Sequence, residues 1–275
     1  MLRRALDGVL TEEEAAGLYS AFDQIGGILV IRIPATLLPK RRIIGETLLG
    51  MIKPARSVYL QSSDVGGEHR TRRLELLAGE EGTITEYRES GCRFDVDVER
   101  AFFSPRLSTE RARIAALVRD GETIVNMFAG IGTFSITAAR LKKCLVYSID
   151  TNAEATRLCE QNAAKNKLAG TVVPITGDAR EVIRGKLRGI ADRVLMVLPE
   201  DSIGFLPDAA DAAKSGCIIH FYSHVHSDER SGARALAEEQ YMAAAPAPSE
   251  VLDSRIVRAV GPRYYQTVVD ARITK

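Results

Sequence analysis

Tryptophan is absent from this 275-residue chain, aromatic residues make up 6%, and there are four cysteines, Cys92, Cys144, Cys159 and Cys217. None of the four falls in CxxC spacing, so neither a zinc knuckle nor a disulfide framework is expected, and the thiols are expected to be reduced. An excess of charge of one sign is also missing. Lys+Arg 37 against Asp+Glu 36 leaves a net charge of +1, so any contact with a polyanion must come from local clusters. Long apolar runs are lacking too: residues 28–33 include an arginine and fall far short of the roughly 18 to 20 apolar residues that span a bilayer. Met1, Leu2, Arg3 and Arg4 lead into the acidic run Glu12, Glu13 and Glu14 without the apolar core of a signal peptide. There is no internal repeat and no low-complexity segment. Hydrophobic residues at 45% and charged residues at 27% are ordinary globular values. The expectation is a folded cytoplasmic protein with no membrane partner.

Two regimes of pattern divide the chain. Over residues 28–100 the apolar runs are short and broken by turn residues (28–33, 57–60, 74–77, 83–87 and 92–98), with one helical spacing at 40–52 carried by Ile43, Ile44, Thr47, Leu48 and Met51. This reads as a small α+β module spanning residues 1–100. Over residues 101–275 the rhythm becomes strand, turn, helix, strand, the pattern of a parallel sheet covered by helices on both faces. Strands are expected at 123–128, 145–149, 172–176, 191–197, 216–222 and 264–273, with helices at 133–141, 154–166 and 205–213. The segment 243–250, with two prolines among alanines, reads as a loop before a final hairpin.

Gly130 and Gly132 sit in Asn126-Met-Phe-Ala-Gly-Ile-Gly132, after a strand and opening a helix, where the backbone can approach a ligand and helix N–H groups face it. Alone this is equally a structural bend. Asp150 ends the next strand 18 residues after Gly132, where a carboxylate can accept from both ribose hydroxyls. Ser135 replaces the third glycine of GxGxxG, which argues against a dinucleotide. Asp178, in Gly177-Asp-Ala-Arg180, is suited to an adenine amino group, with a helix N-cap as the other reading. Glycine, Asp and Asp at successive strand ends describe S-adenosyl-L-methionine better than NAD. Val197-Leu-Pro-Glu200, at the fourth strand end, would face the methyl acceptor. Glu68-His-Arg-Thr-Arg-Arg73 and Lys40-Arg-Arg42 are either solvated charge runs or a phosphate-contacting patch. His220 and His224 share no ligand spacing with a carboxylate or cysteine and read as structural, so no metal is expected.

Glu68-His-Arg70 with Leu74-Glu-Leu-Leu-Ala-Gly79, Gly91-Cys-Arg-Phe94, Phe103-Ser-Pro-Arg-Leu-Ser-Thr-Glu-Arg111, Met127-Phe-Ala-Gly-Ile-Gly132, Gly177-Asp-Ala-Arg180, Asp192-Arg-Val-Leu-Met-Val-Leu-Pro199 and Ile219-His-Phe-Tyr222 together resemble the archaeal and eukaryotic tRNA (guanine-37-N1)-methyltransferases. The block at 103–111 is the most specific, because no generic Rossmann-like argument requires it. The resemblance implies a class I S-adenosylmethionine-dependent methyltransferase domain of α/β, Rossmann-like fold, preceded by a module that recognises the tRNA and the target base. It implies a monomeric, RNA-binding enzyme acting on the anticodon stem-loop. By the same resemblance Glu110 matches the general base and Arg70 the arginine that stabilises charge on guanine O6. Arg106, Arg111, Phe128, Gly130, Gly132, Asp150, Thr151, Asp178, Ala179, Val197 and Pro199 fall at the cofactor pocket.

Three departures bear on this. The chain leaves no room for the N-terminal domain with which family members inspect the tRNA elbow. Asn126 and Thr133 stand where Asp and Pro are usual. Val197 stands where the family's Asn-Leu-Pro motif places a guanine-reading asparagine, and valine has no side-chain hydrogen-bonding group. The alternatives are a tRNA aminocarboxypropyltransferase of wybutosine synthesis, which shares the fold and tRNA position, and a non-catalytic tRNA-binding paralogue.

Overall fold

The computed structural model describes residues 2–63, 66 and 71–274, and the chain divides into two units, Met1–Pro105 and Arg106–Lys275. The boundary expected after residue 100 therefore compares with a division between Pro105 and Arg106.

Unit 1 begins with two short helices, α1 (Leu2–Ala5) and α2 (Glu12–Gly17). A capping box starts α2: the Thr11 hydroxyl accepts from the Glu14 N–H while the Glu14 carboxylate accepts from the Thr11 N–H. Strands β1 (Phe22–Ile25), β2 (Ile28–Ile31), β3 (Ser57–Gln61) and β4 (Leu74–Gly79) follow, with α3 (Arg41–Met51) between β2 and β3. They form one sheet in the order β1-β2-β3-β4. Only β2 and β3 pair in parallel, and α3 supplies the crossover that such a pair needs. It buries Ile44 and Leu48 with Leu29, Ile31 and Val58 in the unit's core. β5 (Ile84–Glu89) and β6 (Cys92–Asp97) form a separate antiparallel hairpin. The first 25 residues hold more regular structure than their pattern suggests, because α1, α2 and β1 are each too short for a periodicity to emerge.

Unit 2 runs α4 (Ser108–Leu117), β7 (Thr123–Asn126), α5 (Thr133–Leu141), β8 (Leu145–Asp150), α6 (Ala153–Lys165), β9 (Thr171–Thr176), α7 (Ala179–Val182), β10 (Ala191–Met196), α8 (Ser202–Ala212), β11 (Ala213–His226), α9 (Ala233–Ala244), β12 (Ser249–Gly261) and β13 (Tyr264–Ile273). Its sheet has the order β12-β13-β11-β10-β7-β8-β9. The five strands from β11 to β9 are parallel, and β13 runs against both of its neighbours. This is the α/β architecture expected of the second half. Helix α9 was not expected from the pattern: it buries Ala233, Ala237 and Tyr241, a stripe at spacing four made mostly of alanine, too weakly apolar to stand out from the prolines after it. β11 is also longer than expected, because it continues through His226 alongside the C-terminal strand.

After β9 the chain crosses back to the other side of β7, so β7 and β10 form the topological switch point where ligands of open α/β sheets bind, outside the carboxyl ends of the strands. The turn leaving β7 depends on Gly132. Its φ is +85°, and a Cβ there would lie 2.5 Å from the Cys159 Sγ on α6. Gly132→Ala is therefore expected to lower the urea-denaturation midpoint by the equivalent of about 1–3 kcal/mol, the usual size of a strained left-handed residue plus a clash. Adding Cys159→Ala should recover the steric part and leave the backbone part. An unchanged midpoint in Gly132→Ala would show that the turn does not require the left-handed conformation.

Candidate active site

The loop that leaves β7 is pinned on both sides. The Met127 N–H donates to the Leu195 carbonyl at 3.1 Å and the Ala129 N–H to the Ile149 carbonyl at 2.8 Å, so the chain passes from one neighbouring strand to the other as it turns. Gly130 and Gly132 both have left-handed φ, +54° and +85°. The Gly130 N–H donates to Asp150 Oδ2 at 2.7 Å and the Asn152 N–H to Oδ1 at 2.9 Å, which fixes the half-buried Asp150 carboxylate at the end of β8. Asn126 is fully buried. Its amide donates to Ser135 Oγ at 3.1 Å, its carbonyl accepts from the Phe128 N–H at 3.4 Å, and Ser148 Oγ donates to the same Ser135 hydroxyl at 2.7 Å. Asn126 thus ties the glycine loop to α5 and β8 without a charge.

At the end of β9, Asp178 caps α7 by accepting from the Arg180 N–H at 2.8 Å. The Arg180 guanidinium donates to both of its oxygens, at 3.0 Å on Oδ1 and 2.6 Å on Oδ2. These bonds hold the carboxyl below its usual range against the opposing effect of burial. The cap reading is therefore realised in the structure, and an adenine contact at Asp178 would share the carboxylate with Arg180. The same guanidinium lies 4.5 Å from the centre of the Phe205 ring, which meets Phe128 edge-on at 4.9 Å. Ala179 is buried, Thr151 is exposed, and Pro199 is buried beyond β10.

Glu110 lies in the first turn of α4 and is 5% exposed. Tyr222 Oη donates to its Oε1 at 2.7 Å, and Arg113, one turn further along α4, donates to the same oxygen through Nε at 2.7 Å and through Nη2. Among the described residues no donor reaches Oε2. Burial and the adjacent Glu110 charge push the Tyr222 phenol up, so it stays a donor. In the parallel pairing Met196 is opposite Phe221, which puts Tyr222 one step further, level with Val197. Val197 is partly buried and packs against the apolar cluster that includes Ile114, Phe134 and Leu195. The structure thus gathers Glu110, Tyr222 and Val197 at the edge that also carries the glycine loop. Arg111 is 2% exposed beside Glu110, and Arg106 is exposed in the short turn Pro105–Leu107.

Behind Glu110 runs a buried polar chain that the sequence reading did not identify. Arg113 Nη1 donates to Asp270 Oδ2 at 2.5 Å, and Asp270 Oδ1 lies 2.6 Å from His220 Nδ1. His220 Nε2 is 2.6 Å from Arg193 Nη1. Arg193 makes a fork with Glu122 at 2.8 and 3.0 Å and donates to the Leu117 carbonyl at 3.0 Å. An arginine only donates, so Nε2 must accept and Nδ1 must carry the proton given to Asp270. Burial pushes the His220 imidazolium down against the pull of Asp270, which agrees with this neutral tautomer. Burial alone would raise Asp270, but the hydrogen bonds from His220 and Arg113 hold it well below its usual range. Arg113 is kept firmly charged by Glu110 and Asp270 despite burial. Two signals in the sequence point this way: the i,i+3 pair Glu110/Arg113 and an aspartate inside the apolar run of β13.

In unit 1, Arg70 lies outside the described residues. Lys40 pairs with Glu14 at 2.6 Å and Arg41 with Glu75 at 2.7 Å, so two members of the expected phosphate patch are engaged within their own unit. An open hollow of about 340 Å³ is lined by Ser63, Gly66, Thr71, Arg72, Arg73 and Glu99. Among the described residues no group of His, Cys, Asp or Glu is arranged to hold a metal ion, and no helix is long and apolar enough to cross a membrane.

Residues 85–243 match the TRM5/TYW2 methyltransferase domain and residues 2–83 the TYW2 N-terminal domain. The chain is 37% identical over 257 residues to the tRNA (guanine(37)-N(1))-methyltransferase Trm5b of Pyrococcus abyssi, covering 94% of this chain and 76% of that protein. It is 34% identical over 262 residues to the tRNA 4-demethylwyosine(37)-methyltransferase Taw21 of Saccharolobus solfataricus, covering 94% of this chain and 96% of that one. The solved complex of aTrm5 with tRNALeu superposes with a TM-score of 0.86 at 34% identity, over 99% of this chain and 78% of that one. The matched methyltransferase domain contains both the glycine turn at the switch point and the Glu110 helix, and S-adenosylmethionine suits a strand edge with a fixed carboxylate beside open backbone. On these grounds the chain belongs to the TRM5/TYW2 methyltransferase family.

Proposed function

We propose that this S-adenosylmethionine-dependent tRNA methyltransferase acts on N1 of guanine 37, next to the anticodon. The observation that carries this reading is the Glu110 carboxylate: buried, anchored through Oε1 by Tyr222 and Arg113, and with Oε2 unengaged among the described residues. Guanine N1 is not nucleophilic while it holds its proton. A base must remove that proton, and charge then accumulates on O6. Glu110 takes the proton through Oε2, and Arg70 stabilises O6, a role that rests on the family resemblance. The cofactor supplies an electrophilic methyl group on a sulfonium. The Gly130–Gly132 backbone and Asp150 would hold its ribose side, Asp178, Ala179 and Phe128 its adenine side, and Thr151, Arg106, Arg111, Val197 and Pro199 would complete the pocket. Drawing the base out of the anticodon loop costs a few kcal/mol, offset by contacts from the Arg72 and Arg73 region.

A second reading has its own support. The chain is 34% identical over 262 residues to the Saccharolobus solfataricus tRNA 4-demethylwyosine(37)-methyltransferase, and Val197 offers no side-chain partner to a guanine edge. Both facts favour 4-demethylwyosine, a tricyclic guanine derivative, as the acceptor at position 37.

Asp150→Ala is expected to weaken S-adenosylmethionine binding by roughly ten- to a hundredfold in calorimetry, the loss of hydrogen bonds to a charged acceptor worth about 1.5–3 kcal/mol. Unchanged affinity in a folded variant refutes the ribose assignment. Glu110→Gln should lower the single-turnover rate by at least about a hundredfold with donor binding little changed, and transfer at the parent rate would leave Glu110 a purely structural residue. The acceptor is decided with doubly labelled donor and two tRNAs, one with unmodified guanine 37 and one with 4-demethylwyosine. Methyl label on the first supports the proposal, and on the second alone the alternative. Label from the aminocarboxypropyl group indicates aminocarboxypropyl transfer, and donor binding without transfer a non-catalytic role. If guanine is the acceptor, Val197→Asn should raise its rate by about tenfold, one hydrogen bond regained. A falling rate at unchanged melting temperature would show a pocket rebuilt around valine.

A further inference from the structure

We infer that Asp270 and His220 are positioning residues, which orient the Glu110 carboxylate for proton removal through Arg113. This rests on the reading of Glu110 as the base. Arg113 contacts two carboxylates at once, Glu110 through Nε and Nη2 and Asp270 through Nη1 and Nη2. A planar guanidinium forked between two anions has little rotational freedom, so the place of Asp270 sets the plane from which Glu110 Oε1 is held. Asp270 is in turn directed by His220 Nδ1–H, its register partner across β11 and β13. His220 is locked into one tautomer by Arg193. Arg193 closes the circuit on the helix where it began, donating to the carbonyl of Leu117, the last residue of α4, while forked on Glu122. Residues at the two ends of α4 are thus joined through the sheet, with Glu110 at the working end. A network needed only for stability would not have to end on the single carboxylate that faces the reaction with one oxygen held.

The test compares variants on the tRNA that the parent chain methylates. His220→Asn keeps an amide N–H where Nδ1–H meets Asp270, while His220→Gln keeps only a partner for Arg193, and both leave similar space. Asp270→Asn and His220→Gln are expected to lower the single-turnover rate by about ten- to a hundredfold, the range for a slightly misplaced catalytic group, with donor and tRNA affinity little changed. His220→Asn should recover most of the rate lost in His220→Gln. In a Glu110→Gln background Asp270→Asn should add little further loss, since groups that act as a unit are not additive. Parent rates in Asp270→Asn and His220→Gln beside a slow Glu110→Gln overturn the inference alone. So does equal slowing by both His220 variants in step with their melting temperatures. A parent rate in Glu110→Gln overturns the base reading and this inference with it. Should Asp270→Asn not fold, the His220 pair decides.

Discussion

The cross-strand pairing of His220 with Asp270 is the contact on which most of the second unit's chemistry converges. β13 runs antiparallel to both of its neighbours, and its register on β11 sets His220 opposite Asp270. A slip of one residue would turn the aspartate to the other face and leave a neutral histidine and Arg113 buried without their shared acceptor. The buried charges therefore help to specify the register alongside the apolar residues. Because the same charges reach α4, the register of the C-terminal strand also decides where Glu110 stands. Net charge along the chain of groups comes close to balancing, with Arg113 and Arg193 set among Glu110, Asp270 and Glu122 around a neutral imidazole. Such buried ion pairs are tolerated only when each partner is hydrogen-bonded.

A second constraint acts at the opposite side of the strand edge. Parallel strands end together, so the glycine loop, Asp150, Asp178 and Val197 are brought to one edge by topology before any side chain is chosen. Asn126 and the two serines, Ser135 and Ser148, then hold the loop against β8 and α5 through neutral hydrogen bonds. An aspartate at position 126 would either bury a charge among the same hydroxyls or have to take up a proton, so asparagine is the less demanding residue for this site. The structural roles of Asn126 and Val197 differ in kind. Asn126 uses both its amide nitrogen and its amide oxygen in hydrogen bonds, whereas Val197 packs against the apolar cluster that includes Ile114, Phe134 and Leu195 and carries no polar side-chain group.

How much was legible in the sequence follows from the range of the interactions. The strand–turn–helix rhythm, the helix at Thr133–Leu141, the strand at Tyr264–Ile273, the glycine turn and the terminal Asp150 are all written within short windows, where periodicity and turn chemistry act locally. The block around Glu110 was readable because it is contiguous. Alanine-faced α9 and the short elements before Ile28 were not, since a weak apolar stripe or a four-residue strand takes its stability from packing partners elsewhere in the chain. The helix-cap role of Asp178 was open from sequence and was settled by Arg180, whose side chain folds back onto it.

The amino-acid sequence by itself determined the α/β class and which glycines and carboxylates stand at the strand ends, because these depend on neighbours a few residues apart. Only the tertiary structure decided what holds Glu110. Its partners Arg113 and Tyr222 lie 3 and 112 residues away, and Asp270, which holds Arg113, lies 157 residues beyond that arginine. Distances of that kind are closed by sheet order and strand register, and by the low dielectric of the interior that makes each buried charge seek a partner.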